Sequence, residues 1–218
     1  MPEIRISSVG CAPMPALSPK GVSVVRTIII LDNPLMPEYR RVLIKGGTYF
    51  MTFITYQRRE IFSSPDVRDL FFTALLKTKQ YNPFDVVAYC LLPDHIHMIW
   101  QLPEKDSDFS NRVSVLKRRF SKSYTEKYGL SIPKDPSRSK RREVTIWQRR
   151  FWEHYIRDTD DLHRHIDYIH YNPVKHGLVK RVCDWSVSSF HDYARAGLYD
   201  LDWGDESIIM DRNHNYGE

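Results

Sequence analysis

Only three cysteines occur in the 218 residues: Cys11, Cys90 and Cys183. They are odd in number, far apart, and form no CxxC pair. That spacing argues against a disulfide framework and against a cysteine-based zinc site, and it fits a reduced, cytoplasmic setting. Long hydrophobic runs are missing as well. The most apolar stretch near the start, Val22 to Leu31, is ten residues long and contains Arg26. It is too short and too charged to span a bilayer, so no membrane partner is expected. Met1–Pro19 has little positive charge and no long apolar core, so it does not read as a signal peptide. Repeats and low-complexity tracts are absent from the sequence. With 42% hydrophobic and 27% charged residues, disorder throughout is excluded. The length suits one ordinary domain rather than two separate cores.

Aromatics and cations are what the chain has in quantity. Thirteen Tyr, ten Phe and five Trp accompany a net charge of +5. The charge is unevenly placed. Arg112 to Arg150 holds 13 Lys/Arg against 3 Asp/Glu, whereas Ala196 to Glu218 holds 6 acids and one Arg. A basic middle of this kind raises the expectation of nucleic acid or another polyanion. Its bland alternative is a solvated helix face followed by a solubilising loop.

Residues 1–38 read as an extension of unknown role. Pro2, Pro13, Pro15, Pro19, Pro34 and Pro37 break any long helix there, and Val22–Leu31 is the one strand candidate. From Tyr39 the pattern is that of an ordered domain, expected over 39–203. Thr48–Tyr56 is rich in aromatic and β-branched residues and predicts a strand. Ser63-Ser64-Pro65 opens a helix with Val67, Leu70, Phe71, Ala74, Leu75 and Thr78 at helical spacing, ended by Asn82-Pro83. Phe84–Leu92 and His95–Leu102 are strand candidates around a Pro93-Asp94 turn. A second helix carries Phe109, Val113, Leu116, Phe120 and Tyr124 three or four apart. Gly129–Thr145 reads as a basic loop. A third helix starts near Asp158-Thr159 and is expected to end before Pro173, because proline disfavours helical geometry in the residue before it. The tail 204–218 is acidic. The order strand–helix–strand–strand–helix predicts an α+β fold, ferredoxin-like, with an antiparallel sheet whose last strand is hard to see.

Two clusters carry chemistry. In a strand, His95 and His97 point to one face, with Cα atoms about 7 Å apart. Ile96, Met98, Trp100 and Leu102 are expected on the opposite, buried face. Two imidazoles on an open face can share one divalent cation; otherwise they are two unrelated surface histidines. Ile99 stands where a third alternating histidine would be, which disfavours a histidine-triad hydrolase. On the third helix, Leu162, Ile166 and Ile169 form the apolar stripe. Tyr168 and Asn172 lie one turn apart on a shared face, continued by Asp161 and by Arg164 or His165. Alone, a Tyr and an Asn near a helix end read as a half-buried phenol and a cap. Together with a bound ion, the phenol has the means to attack a phosphodiester.

The motifs bear a resemblance. Leu91-Leu-Pro-Asp-His-Ile-His-Met-Ile-Trp100 resembles the HUH strand of single-tyrosine transposases. Trp147-Gln-Arg-Arg-Phe-Trp-Glu-His-Tyr-Ile-Arg-Asp158, then Asp167-Tyr-Ile-His-Tyr-Asn-Pro-Val-Lys-His-Gly177, is similar to the REP-associated tyrosine transposases. The likeness spans about Tyr39 to Trp203. It implies a ferredoxin-like domain with the HUH motif on a central strand. It implies Mg or Mn held by His95, His97 and Asn172, and Tyr168 as nucleophile. Tyr155 and Tyr171 compete for that role, but Tyr168 alone fits the family's Tyr-x-x-x-Asn pattern. The implied reaction is cleavage and rejoining of single-stranded, hairpin-forming DNA through a 5′-phosphotyrosine, with no nucleotide cofactor. DNA contacts are expected from Arg112, Lys117, Arg118, Arg119, Lys122, Lys140, Arg141, Arg142, Arg149, Arg150 and Lys175. A monomer or homodimer is expected, cytoplasmic and nucleoid-associated when bound to DNA. Two alternatives stand beside this: a hairpin-binding protein with a degenerate site, and a metal phosphodiesterase that uses water.

Overall fold

The computed structural model describes residues 41–129 and 146–204. Three expectations lie outside the described residues: the extension 1–38, the loop carrying Lys140, Arg141 and Arg142, and the acidic tail past residue 204.

Four antiparallel strands form one sheet: β1 (Thr48–Ile54), β2 (Asp85–Leu91), β3 (His95–Gln101) and β4 (Trp152–Tyr155), in the order β2-β3-β1-β4. Helix α1 (Pro65–Tyr81) links β1 to β2, and α2 (Phe109–Tyr128) lies between β3 and β4. This is the ferredoxin-like order. The histidine strand β3 is central, paired with β1 on one side and β2 on the other. The strand that sequence reading could not find is β4, only four residues long.

The helices start and stop where local chemistry says they should. Pro65 opens α1 at a position whose N–H would have no helical partner anyway. The Asp108 carboxylate accepts from the Asn111 N–H at 2.9 Å and caps α2. Both helices pack on one face of the sheet. There Met51, Phe53, Ile96, Met98 and Trp100 meet Phe71, Leu75, Leu116 and Phe120.

A further helix, α3 (Thr159–Lys175), covers the other face. Its Ile166, Tyr168 and Ile169 pack on Phe50, Ala88, Cys90 and Ile99. Burying such an apolar stripe is worth about 1.5–3 kcal/mol per large side chain, and the sheet face is the surface that accepts it. The histidine face is therefore covered, which corrects the expectation of an open one: His95 is 1% and His97 0% exposed.

The end of α3 is also corrected. It runs through Pro173 to Lys175. Proline removes one backbone donor, but the last turn is closed by other bonds. The N–H groups of His176, Gly177 and Leu178 donate to the carbonyls of Asn172, Val174 and Pro173. Gly177, at φ +67°, makes the left-handed turn this closure requires. Asn172 thus keeps its helical register with Tyr168.

The segment after α3 returns along the free edge of β2. Leu91 N–H donates to the Val187 carbonyl, and Ser189 N–H to the Tyr89 carbonyl, before the short helix α4 (Phe190–Arg195). His170 of α3 is sealed beneath it, 2.8 Å from Ser189 Oγ through Nε2 and ringed by Phe190, Tyr193 and Tyr199. Burial, with the nearby His191 adding to it, pushes this imidazole down to about 3. An unfolded histidine titrates near 6.5. Between those values the unfolded chain binds a proton that the folded chain does not, so stability falls as pH falls from about 6.5 towards 3. His170→Gln should flatten the acid limb by up to about 1.4 kcal/mol per pH unit in urea titrations. An unchanged slope would show that His170 does not set it.

Candidate active site

β3 and α3 bring the two sequence clusters together. The His95 and His97 rings lie 4.9 Å apart at 85°. Tyr168 meets His97 edge-on, with centroids 5.3 Å apart. All of these belong to one chain, so the phenol lies beside its own histidine pair. Phe50 of β1 forms the wall behind them. It stacks on His97 at 5.5 Å and touches Tyr168 at 6.1 Å and His165 at 4.9 Å.

Each histidine is aimed through its Nδ1. His95 Nδ1 donates to the Asp94 carboxylate at 2.5 Å. His97 Nδ1 and the Thr52 hydroxyl share a hydrogen bond of 2.9 Å. Thr52 is the cross-strand partner of His97 in the β1–β3 register, which explains the contact. Both rings therefore turn Nε2 away from these anchors, the arrangement that ligating histidines use. Burial alone would raise the Asp94 carboxyl, but the hydrogen bonds and charges of His95 and Arg58 outweigh it and hold it below the usual range. The Arg58 guanidinium reaches Asp94 Oδ2 at 3.0 Å. Gln57 and Arg58 have left-handed backbone here, at φ 56° and 50°, at a cost of about 1–3 kcal/mol each.

At the other side of the site, Lys175 Nζ donates to the Tyr168 hydroxyl at 3.0 Å and lies 4.7 Å over its ring. The sequence placed Lys175 among DNA contacts; its position puts it on the phenol. Next to it, the His176 ring lies 5.1 Å from that of His95.

A second cluster fixes the start of α3. Asp161 Oδ2 accepts from His154 Nε2 at 2.9 Å and from the Arg157 N–H at 3.1 Å. His165 Nδ1 donates to the Asp161 carbonyl at 2.7 Å and stacks on His154 at 4.6 Å. Burial would raise the Asp161 carboxyl, yet His154, Arg157 and His165 together hold it well below the usual range. One ligand atom from each of His154, Asp161 and His165 lies within 4.8 Å of the others, a spacing that an ion could also use. In the structure, hydrogen bonds among them tie β4 to α3. His165 is one turn before Tyr168, so this brace helps to aim the phenol.

The expected DNA contacts separate into groups. Arg112 is buried, bonded to the carbonyls of Pro83 and Asp108 and to Asp106. Lys117 is held among Phe53, Trp147 and Phe151 at 5.2–5.4 Å, and burial pushes its ammonium down to about 7. Both face inward, which corrects their reading as phosphate contacts. Val113, Lys117, Phe120 and Tyr124 share one row of α2, so Lys117 falls on the core side. Arg119 is half-buried and stacks over Tyr81 at 5.3 Å. Arg118 and Lys122 are exposed on α2, on the sheet face opposite the histidines. Arg149 and Arg150 are exposed just before β4. Tyr155 is half-buried on β4 against Tyr49. No helix among the described residues is long and apolar enough to cross a membrane.

Sequence reading missed Asp94, Thr52, Phe50, Arg58 and His176 as parts of this site. Asp94 was legible as the residue before the pair, and His176 as the position eight after Tyr168. Thr52 and Phe50 had no signal of their own, because only the β1–β3 register places them.

Known proteins are similar to this chain. A family model described as "Transposase IS200 like" matches residues 44–172. The REP-associated tyrosine transposase of Escherichia coli (strain K12) is 45% identical over 168 residues, covering 77% of this chain and 91% of that one. A Haemophilus influenzae protein, whose name carries the same group, is 45% identical over 174 residues, covering 78% of this chain and 94% of its own. A solved structure of a REP-associated tyrosine transposase bound to a REP hairpin is similar with a TM-score of 0.66 and 40% identity. It covers 84% of this chain and 98% of that one.

Proposed function

The chain belongs to the REP-associated tyrosine transposases, within the IS200-like transposase family, and from that membership we propose that it cleaves and rejoins single-stranded, hairpin-forming DNA through a covalent bond to Tyr168. The observation that carries the proposal is the placement of the Tyr168 phenol between His97 and the Lys175 ammonium. In this reading the Tyr168 oxygen attacks the scissile phosphorus. The bond from phosphorus to the 3′-oxygen breaks, leaving a 5′-phosphotyrosine and a free 3′-OH. The phenolic proton is lost and the departing oxygen gains one, so the step is balanced. Lys175 donates to the phenol oxygen and stabilises the negative charge that develops there. In reverse, a 3′-OH attacks the phosphotyrosine and restores the phosphodiester, so no external energy source is needed.

The residues present suit a divalent ion of the Mg or Mn type. Two imidazoles anchored through Nδ1, one with a carboxylate behind it, support this reading, and Asn172, a buried amide one turn from Tyr168, is the oxygen donor we assign beside them. His95, His97 and Asn172 would hold the ion, which when bound would neutralise charge on the scissile phosphate. Asp94, Thr52 and Phe50 orient the two rings.

The DNA class follows from the relative whose structure holds a REP hairpin. Exposed Arg149, Arg150 and Arg118 supply cations for the backbone, and we extend this role to Lys140, Arg141 and Arg142. A cleft of about 340 Å³ along β4, with Trp152, Tyr155 and Arg157 in its wall, offers aromatic faces for unpaired bases. In this reading, residues 39–203 make up the catalytic domain and the protein works in the cytoplasm on nucleoid DNA.

The test uses an end-labelled, hairpin-bearing single strand and a denaturing gel. With Mn²⁺ or Mg²⁺, the expected result is a cleaved strand plus a label that migrates with the protein. EDTA should abolish both. Cleavage without any adduct would favour water as nucleophile. Binding without cleavage would leave a hairpin-binding protein.

A further inference from the structure

Asp94 and His95 are neighbours in sequence, and neighbours within a strand point to opposite faces. Asp94 reaches the His95 ring from the Pro93-Asp94 turn, just ahead of β3, so the setting of that turn decides whether the ring is held. One loop fixes the turn. The Thr55 N–H donates to the Asp94 carbonyl at 2.9 Å and the Phe62 N–H to the Pro93 carbonyl at 3.0 Å. Between these two bonds the loop carries Arg58, whose Nη1 donates to Asp94 Oδ2 at 3.0 Å. His95 Nδ1 donates to the other oxygen, Oδ1, at 2.5 Å. Each oxygen of the carboxylate thus has its own partner, and rotating the group would break both bonds. Gln57 and Arg58 hold left-handed backbone although neither is glycine, a conformation that persists where surrounding contacts fix it.

We propose that Arg58 is a positioning residue for the reaction: by fixing the Asp94 carboxylate it sets the His95 ring, and with it the direction of Nε2. The inference rests on the metal-dependent reading above. Arg58 touches no reacting atom in this account and acts through Asp94. Its side chain is 43% exposed, against 16% for Asp94, so the ion pair adds little to stability. Its effect falls on orientation instead, because ligating imidazoles depend on the partner behind them. That role separates Arg58 from Arg118, Arg149 and Arg150, which are assigned to the DNA backbone.

The test is calorimetric titration of the full-length, DNA-free protein with MnCl2. Arg58→Ala should weaken the Mn²⁺ Kd by about three- to tenfold, less than Asp94→Asn because Arg58 is one step further from the ion. The contact with Asp94 uses a single nitrogen, so the ammonium of Arg58→Lys should recover most of the loss. On an Asp94→Asn background, Arg58→Ala should add no further loss, as expected of two residues that act along one path. The melting temperature should shift little, and affinity for a labelled hairpin strand in EDTA should stay unchanged. An unchanged Mn²⁺ Kd in Arg58→Ala overturns the proposal and leaves the metal-dependent reading standing. A full further loss on the Asp94→Asn background overturns it as well, because Arg58 then acts by another route. Weaker hairpin binding in EDTA overturns it in favour of a direct phosphate contact. A wild type that binds no Mn²⁺ overturns both the proposal and the reading beneath it.

Discussion

Tyr168→Phe should abolish the proposed covalent protein–DNA adduct and lower strand cleavage by about 10⁴-fold or more, the scale seen when a nucleophile is removed, while hairpin affinity should be retained. The substitution deletes one oxygen. The ring is 2% exposed and packs on His97 and Phe50, contacts that phenylalanine keeps. The hydrogen bond with Lys175 is lost, and Lys175 is exposed and rehydrates readily, so losing that bond costs about 1 kcal/mol. Folding and DNA binding are then intact while the reacting atom is gone. Tyr171 cannot substitute: it is three residues on, about 60° away around the helix, outside the column that Tyr168 forms with Asn172. Tyr155 is on β4, packed on Tyr49. The check is the adduct gel together with a hairpin-binding titration. Wild-type cleavage by the variant removes Tyr168 from its role.

His97→Ala should be nearly as severe, with adduct formation reduced by about 10³-fold or more. Two effects combine here and must be separated. The ring is fully buried, bonded to Thr52 and stacked on Phe50, so alanine leaves a cavity that costs about 2–4 kcal/mol. It also removes a nitrogen donor. His97→Gln keeps most of the volume and should recover stability without recovering activity. Asp94→Asn gives the graded comparison. The His95 ring stays in place but loses its carboxylate anchor, and metal affinity should fall by about 10–100-fold. Thermal unfolding with and without Mn²⁺ reads both quantities. The wild type should gain stability from Mn²⁺ and His97→Gln should not. Equal Mn²⁺ stabilisation in the two proteins would remove His97 from the donor set.

Much of the fold was legible because its signals are local. Ser64-Pro65 and Asn82 bound α1, the apolar spacing of α2 needs no partner to be seen, and Pro93-Asp94 separates β2 from β3. What stayed hidden depends on tertiary context. β4 has four residues, too few for alternation to register. The burial of His95 and His97 is imposed by α3, which lies more than sixty residues further along the chain. Pro173 was read as a helix stop because its local cost is real, yet the closure at His176–Leu178 offsets it. Arg112 and Lys117 look like surface cations in a list of residue types; their positions on α2 turn them inward. The adjacency of His95, His97 and Tyr168 was legible where a motif carried it. The site was illegible where strand register carried it, as with Thr52 and Phe50.

The central claim is that the Tyr168 oxygen becomes bonded to DNA phosphorus. The most direct measurement traps the adduct on a single-stranded hairpin substrate, digests protein and DNA, and maps the modified peptide by tandem mass spectrometry. The account predicts a nucleotide phosphate on Tyr168, in the peptide that also contains His170 and Asn172. A phosphate mapped to Tyr155 or Tyr171, or cleaved DNA with no modified tyrosine, would contradict it.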